Sequence, residues 1–102
     1  MNFGLPESTL LKMQGVFARH PEIEQVILYG SRAKGNYRPG SDIDLTLLGP
    51  AADITVLRQV LLELDDLNTP YLMDVSLYHQ IKSDELKNHI TSYGKVFYLR
   101  SC

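Results

Sequence analysis

Two aspartates, Asp42 and Asp44, stand two residues apart in the stretch YGSRAKGNYRPGSDIDL, Tyr29 to Leu45. Ten residues separate them from a Gly30-Ser31 pair. On an extended strand, side chains two apart leave the same face. Like charges held that close repel, and need a cation between them or water around them. Mg²⁺ suits such a pair, because it takes oxygen ligands from one or two carboxylates, waters and substrate phosphates. Gly30 allows a close backbone approach. Ser31 adds a hydroxyl, and the N–H groups of a following turn can point at phosphate. Arg32, Lys34 and Arg38 add positive charge. The pieces amount to a cradle for a metal-bound triphosphate. The competing reading is a turn, a solvated basic loop and a wet strand end, and on charge alone that reading is the better one for the three cations.

Asp74 is the next candidate. It is the only acidic residue in the run YLMDVSLY, Tyr71 to Tyr78, and alternation puts it opposite Met73, Val75 and Leu77. A charge there must be paired, metal-bound or solvated. If this run lies beside the Asp42–Asp44 strand, three carboxylates converge. Two Mg²⁺ ions could then activate an attacking oxygen and stabilise a leaving pyrophosphate. Taken without the Gly-Ser/Asp-x-Asp stretch, an exposed strand position explains Asp74 equally well.

These residues need elements to position them. Ser8 to Arg19 reads as a helix with Leu10, Met13 and Phe17 on one face, weakened by Gly15 and ended at His20-Pro21. Gln25 to Tyr29 reads as a strand buried on both faces. Arg32 to Lys34 can form one helical turn, and Arg38 to Ser41 is a turn signal. From Asp42 to Leu48, Ile43, Leu45 and Leu47 point one way, and Asp42, Asp44 and Thr46 the other. Asp53 can cap a helix with an Ile54, Leu57, Leu61, Leu64 stripe, stopped at Asn68-Thr69-Pro70. After the Tyr71–Tyr78 strand, Ser83 is an N-cap with Asp84 and Glu85 in the first turn. Leu86, Ile90 and Tyr93 give that helix its stripe, Gly94 suits its C-terminus, and Lys95 to Leu99 is a last strand. The order α-β-(short α)-β-α-β-α-β predicts an α/β or α+β domain with helices packed on a sheet. The Tyr29-to-Asp42 connection is short for a parallel crossover, so those strands should pair antiparallel, in a mixed sheet.

At 102 residues the chain is expected to be one compact domain, with little material for a second, substrate-binding one. A formal charge of −2 does not supply the basic surface of a general nucleic-acid binder. The single cysteine, Cys102, excludes an internal disulfide and reads as a terminal thiol rather than a nucleophile. The opening MNFGLPESTL lacks the pattern of a signal peptide, and no apolar run has membrane-spanning length, so a cytoplasmic protein is expected. His20, His79 and His89 show no metal-ligand spacing and read as surface or capping residues. Tyr37 can stack on a base or cover the turn.

Gly30-Ser31, ten residues, Asp42-x-Asp44 and a later strand Asp74 resemble the DNA polymerase β-type nucleotidyltransferase superfamily. The element order also fits its catalytic core, so the resemblance covers nearly the whole chain. In size the chain is similar to the minimal nucleotidyltransferase (MNT) proteins, commonly encoded beside a HEPN-domain protein as the antitoxin of a toxin–antitoxin pair. The resemblance implies a single minimal nucleotidyltransferase domain over residues 1–102. It implies Mg²⁺-dependent transfer of AMP from ATP to a hydroxyl, expected to be a tyrosine, of a HEPN toxin ribonuclease. Asp42, Asp44 and Asp74 would bind two Mg²⁺ ions, and Asp74 would also help deprotonate the acceptor. Gly30 and Ser31 would hold the triphosphate, with Arg32, Lys34 and Arg38 as further nucleotide contacts. An adenylate placed near an RNA-binding site would repel RNA phosphate. The alternatives are an antitoxin acting by binding alone, against which the complete carboxylate set argues, and a small-molecule nucleotidyltransferase such as an aminoglycoside-modifying enzyme. The latter, like a template-directed polymerase, needs an acceptor domain for which this length leaves no room. No direct nucleic-acid or membrane partner is expected, and the composition admits a homo- or hetero-oligomer.

Overall fold

The short connection after Tyr29 does return the chain antiparallel. In the computed structural model, which describes residues 3–38 and 40–100, the elements are α1 (Glu7–Ala18), β1 (Gln25–Tyr29), α2 (Ser31–Lys34), β2 (Ile43–Leu48), α3 (Ile54–Asp65), β3 (Met73–Leu77), a 3₁₀ turn at Tyr78–Gln80, α4 (Asp84–Tyr93) and β4 (Lys95–Leu99). They form a four-stranded mixed sheet in the order β3-β2-β1-β4. β1 pairs antiparallel with β2 and β4, and β2 pairs parallel with β3. The β2-to-β3 connection is long enough to hold α3, as a parallel crossover requires.

The period of two divides the sheet into unlike faces. Val26 and Leu28, Ile43, Leu45 and Leu47, Val75 and Leu77, and Phe97 form one face, buried against Met13, Val16 and Phe17 of α1 and Val56, Val60 and Leu64 of α3. Phe97 packs edge-on to Phe17, with ring centroids 6.1 Å apart. The opposite face carries Ile27 and Tyr29, Asp44 and Thr46, Asp74 and Ser76, and receives α4 through the buried Ile90. Two helices therefore cover one face and α4 the other.

Several expectations need correction. On α3 the buried residues are Val56, Val60 and Leu64, while Ile54 and Leu61 are 46% and 39% exposed. The helix is apolar at 54, 56, 57, 60, 61, 62 and 64, more than half its circumference, so periodicity alone does not fix which stripe turns inward. Its start was legible: Asp53 accepts a 3.1 Å hydrogen bond from the Val56 N–H. On α4, Tyr93 is about half exposed, and Ile90 is the buried anchor. Gly94 is not a left-handed cap, since its φ is −63°. A Cβ there would collide with the Ile90 carbonyl and press on Ile27, so the glycine serves close helix–strand packing. His20 is not a surface residue; it is buried, its Nε2 3.0 Å from the Glu63 carboxylate. His79 Nε2 donates to the Ala52 carbonyl at 2.8 Å. Cys102 lies outside the described residues. Among those described, no helix is long and apolar enough to cross a membrane.

The rotated α3 face is testable. Val60→Ala, at a position the apparent stripe omits, should cost about 1.5–3 kcal/mol in urea unfolding. Leu61→Ala, inside that stripe, should change stability by no more than about 0.5 kcal/mol. The reverse ranking would mean that α3 turns its other side to the sheet.

Candidate active site

The strand registers bring the aspartates together. Tyr29, the last residue of β1, is the Cα partner of Asp44. Asp44 is in turn the partner of Asp74 across the parallel β2–β3 pair. In-register neighbours on adjacent strands point the same way, so two carboxylates and a phenol share one edge of the α4-facing side. There they open into a cleft of about 510 Å³, whose other wall includes Glu85 and His89 of α4. Asp42, exposed just before β2, is close enough for its charge to act on Asp44. The sequence left the meeting of Asp74 with the Asp42–Asp44 strand conditional on the two strands being neighbours; β2 and β3 are neighbours, and Asp44 and Asp74 are in register.

The cluster holds a negative potential that its own groups register. Burial raises the Asp44 carboxyl above the usual carboxylate range, and the charges of Asp74 and then Asp42 push it the same way. Burial likewise raises the Tyr29 phenol; a hydrogen bond with Ser76 opposes the rise, and Asp74 and Asp44 add to it. Hard carboxylate oxygens that repel one another are the donor chemistry of a Mg²⁺ site. Among the described residues, no three His, Cys, Asp or Glu side chains are gathered tightly enough to enclose a metal unaided. The carboxylate donors suit an ion that completes its shell with waters and phosphate oxygens, as Mg²⁺ commonly does.

Gly30 has φ 79° and ψ −157°, a region open essentially to glycine alone. A Cβ on it would collide with the Asp44 carboxylate, so the close approach that requires glycine is made here by Asp44 itself. The Gly30 N–H donates to His89 Nε2 at 3.1 Å. Ser31 follows as the first residue of α2, which closes on Gly35 at φ 85°.

The three cations part company. Arg32 is only 2% exposed and does not reach the cleft. Its Nη1 donates to the Phe3 carbonyl at 2.9 Å, and its Nε and Nη2 donate to the Ser41 carbonyl at 3.2 and 3.0 Å. Its guanidinium lies 5.2 Å from the ring centres of both Tyr37 and Tyr71. Its expected role as a phosphate contact is thus corrected: it clamps the loop from inside. Consecutive helical residues point about 100° apart, so Arg32 can turn inward although it follows Ser31 directly. Tyr37 accordingly covers the turn. Lys34 is exposed, its Nζ 5.1 Å from the Tyr93 ring centre, and Arg38 is exposed in the turn.

Sequence reasoning missed His89 and Glu85 as site residues. The signal for His89 was present: it falls three residues after Leu86 and one before Ile90, within the inward stripe of α4. A larger cleft, about 630 Å³, lies between α3 and β3, lined by Leu61, Leu62 and Leu72 among others. It holds none of the three aspartates above, so the chemistry, not the volume, locates the site.

The polymerase beta nucleotidyltransferase family model matches residues 12–102. The chain belongs to that family, and its mixed sheet with flanking helices is that family's fold. No curated protein matches in sequence. Among solved structures, the chain is similar to a toxin–antitoxin complex with AMP-PNP, at TM-score 0.69 and 20% identity, over 95% of this chain and 76% of that one. It is similar to a chain of the tri-AMPylated Shewanella oneidensis HEPN toxin in complex with MNT antitoxin, at TM-score 0.67 and 17% identity, over 92% and 72%. A protein from Sulfolobus solfataricus assigned as a nucleotidyltransferase matches at TM-score 0.52 and 18% identity, over 95% and 92%. At these identities the likeness establishes the fold.

Two outcomes follow from the geometry. Because the folded Asp44 carboxyl lies above its ordinary range, the folded state holds that proton more tightly than the unfolded chain does. Its stability contribution is present below the ordinary carboxylate range and is lost as pH rises through the raised value. Asp44→Asn should therefore raise the melting midpoint of the metal-free protein at pH 7 by roughly 2–4 °C. That gain should vanish in acid; an equal or lower midpoint at pH 7 would show that the repulsion is not felt. Arg32→Met should cost about 2–4 kcal/mol in chemical unfolding, because it leaves two carbonyls without their charged donor, and Arg32→Lys should recover less than half.

Proposed function

We propose that this protein is a single minimal nucleotidyltransferase domain over residues 1–102 that acts as an antitoxin, moving AMP from ATP to a hydroxyl of a HEPN-domain toxin. The observation that carries the reading is the in-register pairing of Asp44 with Asp74 at the mouth of a cleft bounded by Gly30. Family membership supports the reaction class. The structural neighbours support the partner and the nucleotide: one is a toxin–antitoxin complex with AMP-PNP, and another holds a tri-AMPylated HEPN toxin with its MNT antitoxin. Tyrosine is the expected acceptor, and the cytoplasm the expected compartment.

In this reading Asp42, Asp44 and Asp74 hold Mg²⁺, which when bound neutralises charge on the triphosphate and on the leaving pyrophosphate. Gly30 and Ser31 bound the triphosphate, and the exposed Lys34 and Arg38 are the cations free to turn toward it. The acceptor oxygen attacks the α-phosphorus, forming one O–P bond as the bond to the bridging oxygen of pyrophosphate breaks. Asp74, exposed at the cleft mouth, takes the hydroxyl proton. Positioning and electrostatics supply most of the rate in such transfers. The toxin complexes among the structural neighbours support an acceptor carried on a docking protein.

Intact-mass spectrometry of a HEPN partner incubated with this protein and Mg-ATP tests the proposal. The partner should gain adenylate mass and lose toxicity, and the Asp42→Asn/Asp44→Asn double variant should leave it unmodified. Asp74→Asn should abolish transfer yet lose less ATP affinity than that double variant. A partner neutralised without added mass, and equally well by the double variant, would replace the enzyme with an antitoxin that acts by binding.

A further inference from the structure

We propose that His89 is a positioning residue for the Gly30–Ser31 loop, so that α4 is part of the nucleotide site rather than scaffold. This rests on reading the cleft as that site. At φ 79° and ψ −157°, the Gly30 peptide departs from the extended geometry of β1. A half-buried N–H left without an acceptor is costly. Nε2 of His89 supplies the acceptor at 3.1 Å, from 59 residues further along the chain. Because Nε2 accepts, the ring proton resides on Nδ1, an assignment inferred from the bond itself.

The ring is held on several sides. Tyr29 meets it edge-on, with centroids 6.2 Å apart at 81°, and Tyr93 flanks it at 5.3 Å. The neighbouring Ile90 is buried and anchors α4 to the sheet. The Asp44 carboxylate fills the space where a Gly30 Cβ would be. A ring from α4 and a carboxylate from β2 thus both hold Gly30. Its N–H is committed to His89, so Gly30 serves the nucleotide by shape, and His89 fixes the direction in which the chain leaves β1 and carries Ser31.

The test compares His89→Leu, which keeps apolar bulk without an acceptor, with His89→Gln, whose amide oxygen reaches about as far as Nε2. His89→Asn keeps the amide but falls a bond short. The readouts are the Gly30 amide resonance and its hydrogen exchange, the Mg-ATP dissociation constant, and kcat and KM for ATP. His89→Leu and His89→Asn should speed Gly30 exchange roughly tenfold or more and weaken Mg-ATP binding about tenfold. His89→Gln should restore both to within about threefold of wild type. Equal losses in the Leu, Asn and Gln variants would overturn the proposal, since bulk would then be what matters. So would release of the Gly30 amide with unchanged ATP affinity. A wild-type protein that binds no Mg-ATP would remove the nucleotide reading and this proposal with it; the Gly30 amide would still report whether the hydrogen bond forms.

Discussion

A guanidinium without a carboxylate beside it holds the motif together. Arg32 sits one residue after the Gly30-Ser31 pair, and its bidentate hydrogen bond falls on the Ser41 carbonyl, immediately before Asp42. The ten-residue spacing therefore has a physical meaning: its first residue grips its last. Among the described residues no acidic side chain forms an ion pair with Arg32; Glu63 pairs instead with Arg19 and hydrogen-bonds His20. Two carbonyls and the faces of Tyr37 and Tyr71 compensate its charge instead. Only a planar, multi-donor cation can use such surroundings, because an ammonium cannot both fork onto a carbonyl and stack between rings. The clamp ties the start of α2 to the residue before Asp42 and so delivers Asp42 to the start of β2.

From that point the sheet does the positioning. Like charges opposite one another on adjacent strands destabilise a sheet, yet Asp44 and Asp74 are in register. The cost is borne because the opposite face of the same strands is fully apolar: Ile43, Leu45 and Leu47 are completely buried, and Leu77 nearly so. Strand alternation separates the two tasks, one face for cohesion and the other for charge. A slip of one residue would exchange them, so the same core that stabilises the fold also fixes where the aspartates point.

How legible this was depends on how many orientations each element allowed. A strand offers two faces, and one clean alternation from Ile43 to Leu47 was enough to put Asp42 and Asp44 together; that Asp74 joins them depended on which strands are neighbours, which alternation does not say. The antiparallel return after Tyr29 followed from chain length alone. Helices offer more choices. α3 is apolar around more than half its surface, and the inward stripe was decided by packing on the sheet. α2 is a single turn, where a one-residue step changes the side of the chain entirely; hence Arg32 read as a phosphate contact and proved to be a buried clamp. His89 was half legible. Its place in the inward stripe of α4 could be read, but its partner is a backbone N–H, and backbone donors freed by an unusual glycine conformation have no signature in the side-chain sequence.

These devices converge on Gly30. The clamp on Ser41 places β2, β2 places the Asp44 carboxylate, and that carboxylate occupies the volume that only a glycine leaves free. α4, seated on the opposite sheet face by Ile90, brings the acceptor for the Gly30 N–H. Each contact is local, but together they tie the loop, the central strand and the helix of the far layer to one peptide. The aspartates themselves are held by strand register, and among the described residues Asp44 and Asp74 have no hydrogen-bond partner for their carboxylates. The Asp44 oxygens thus stay uncommitted in a partly buried setting that disfavours negative charge. A site built this way is fixed by backbone contacts and unsatisfied in charge. Such a site gains most from a ligand that brings cations with it, because binding then relieves a repulsion that folding has already imposed.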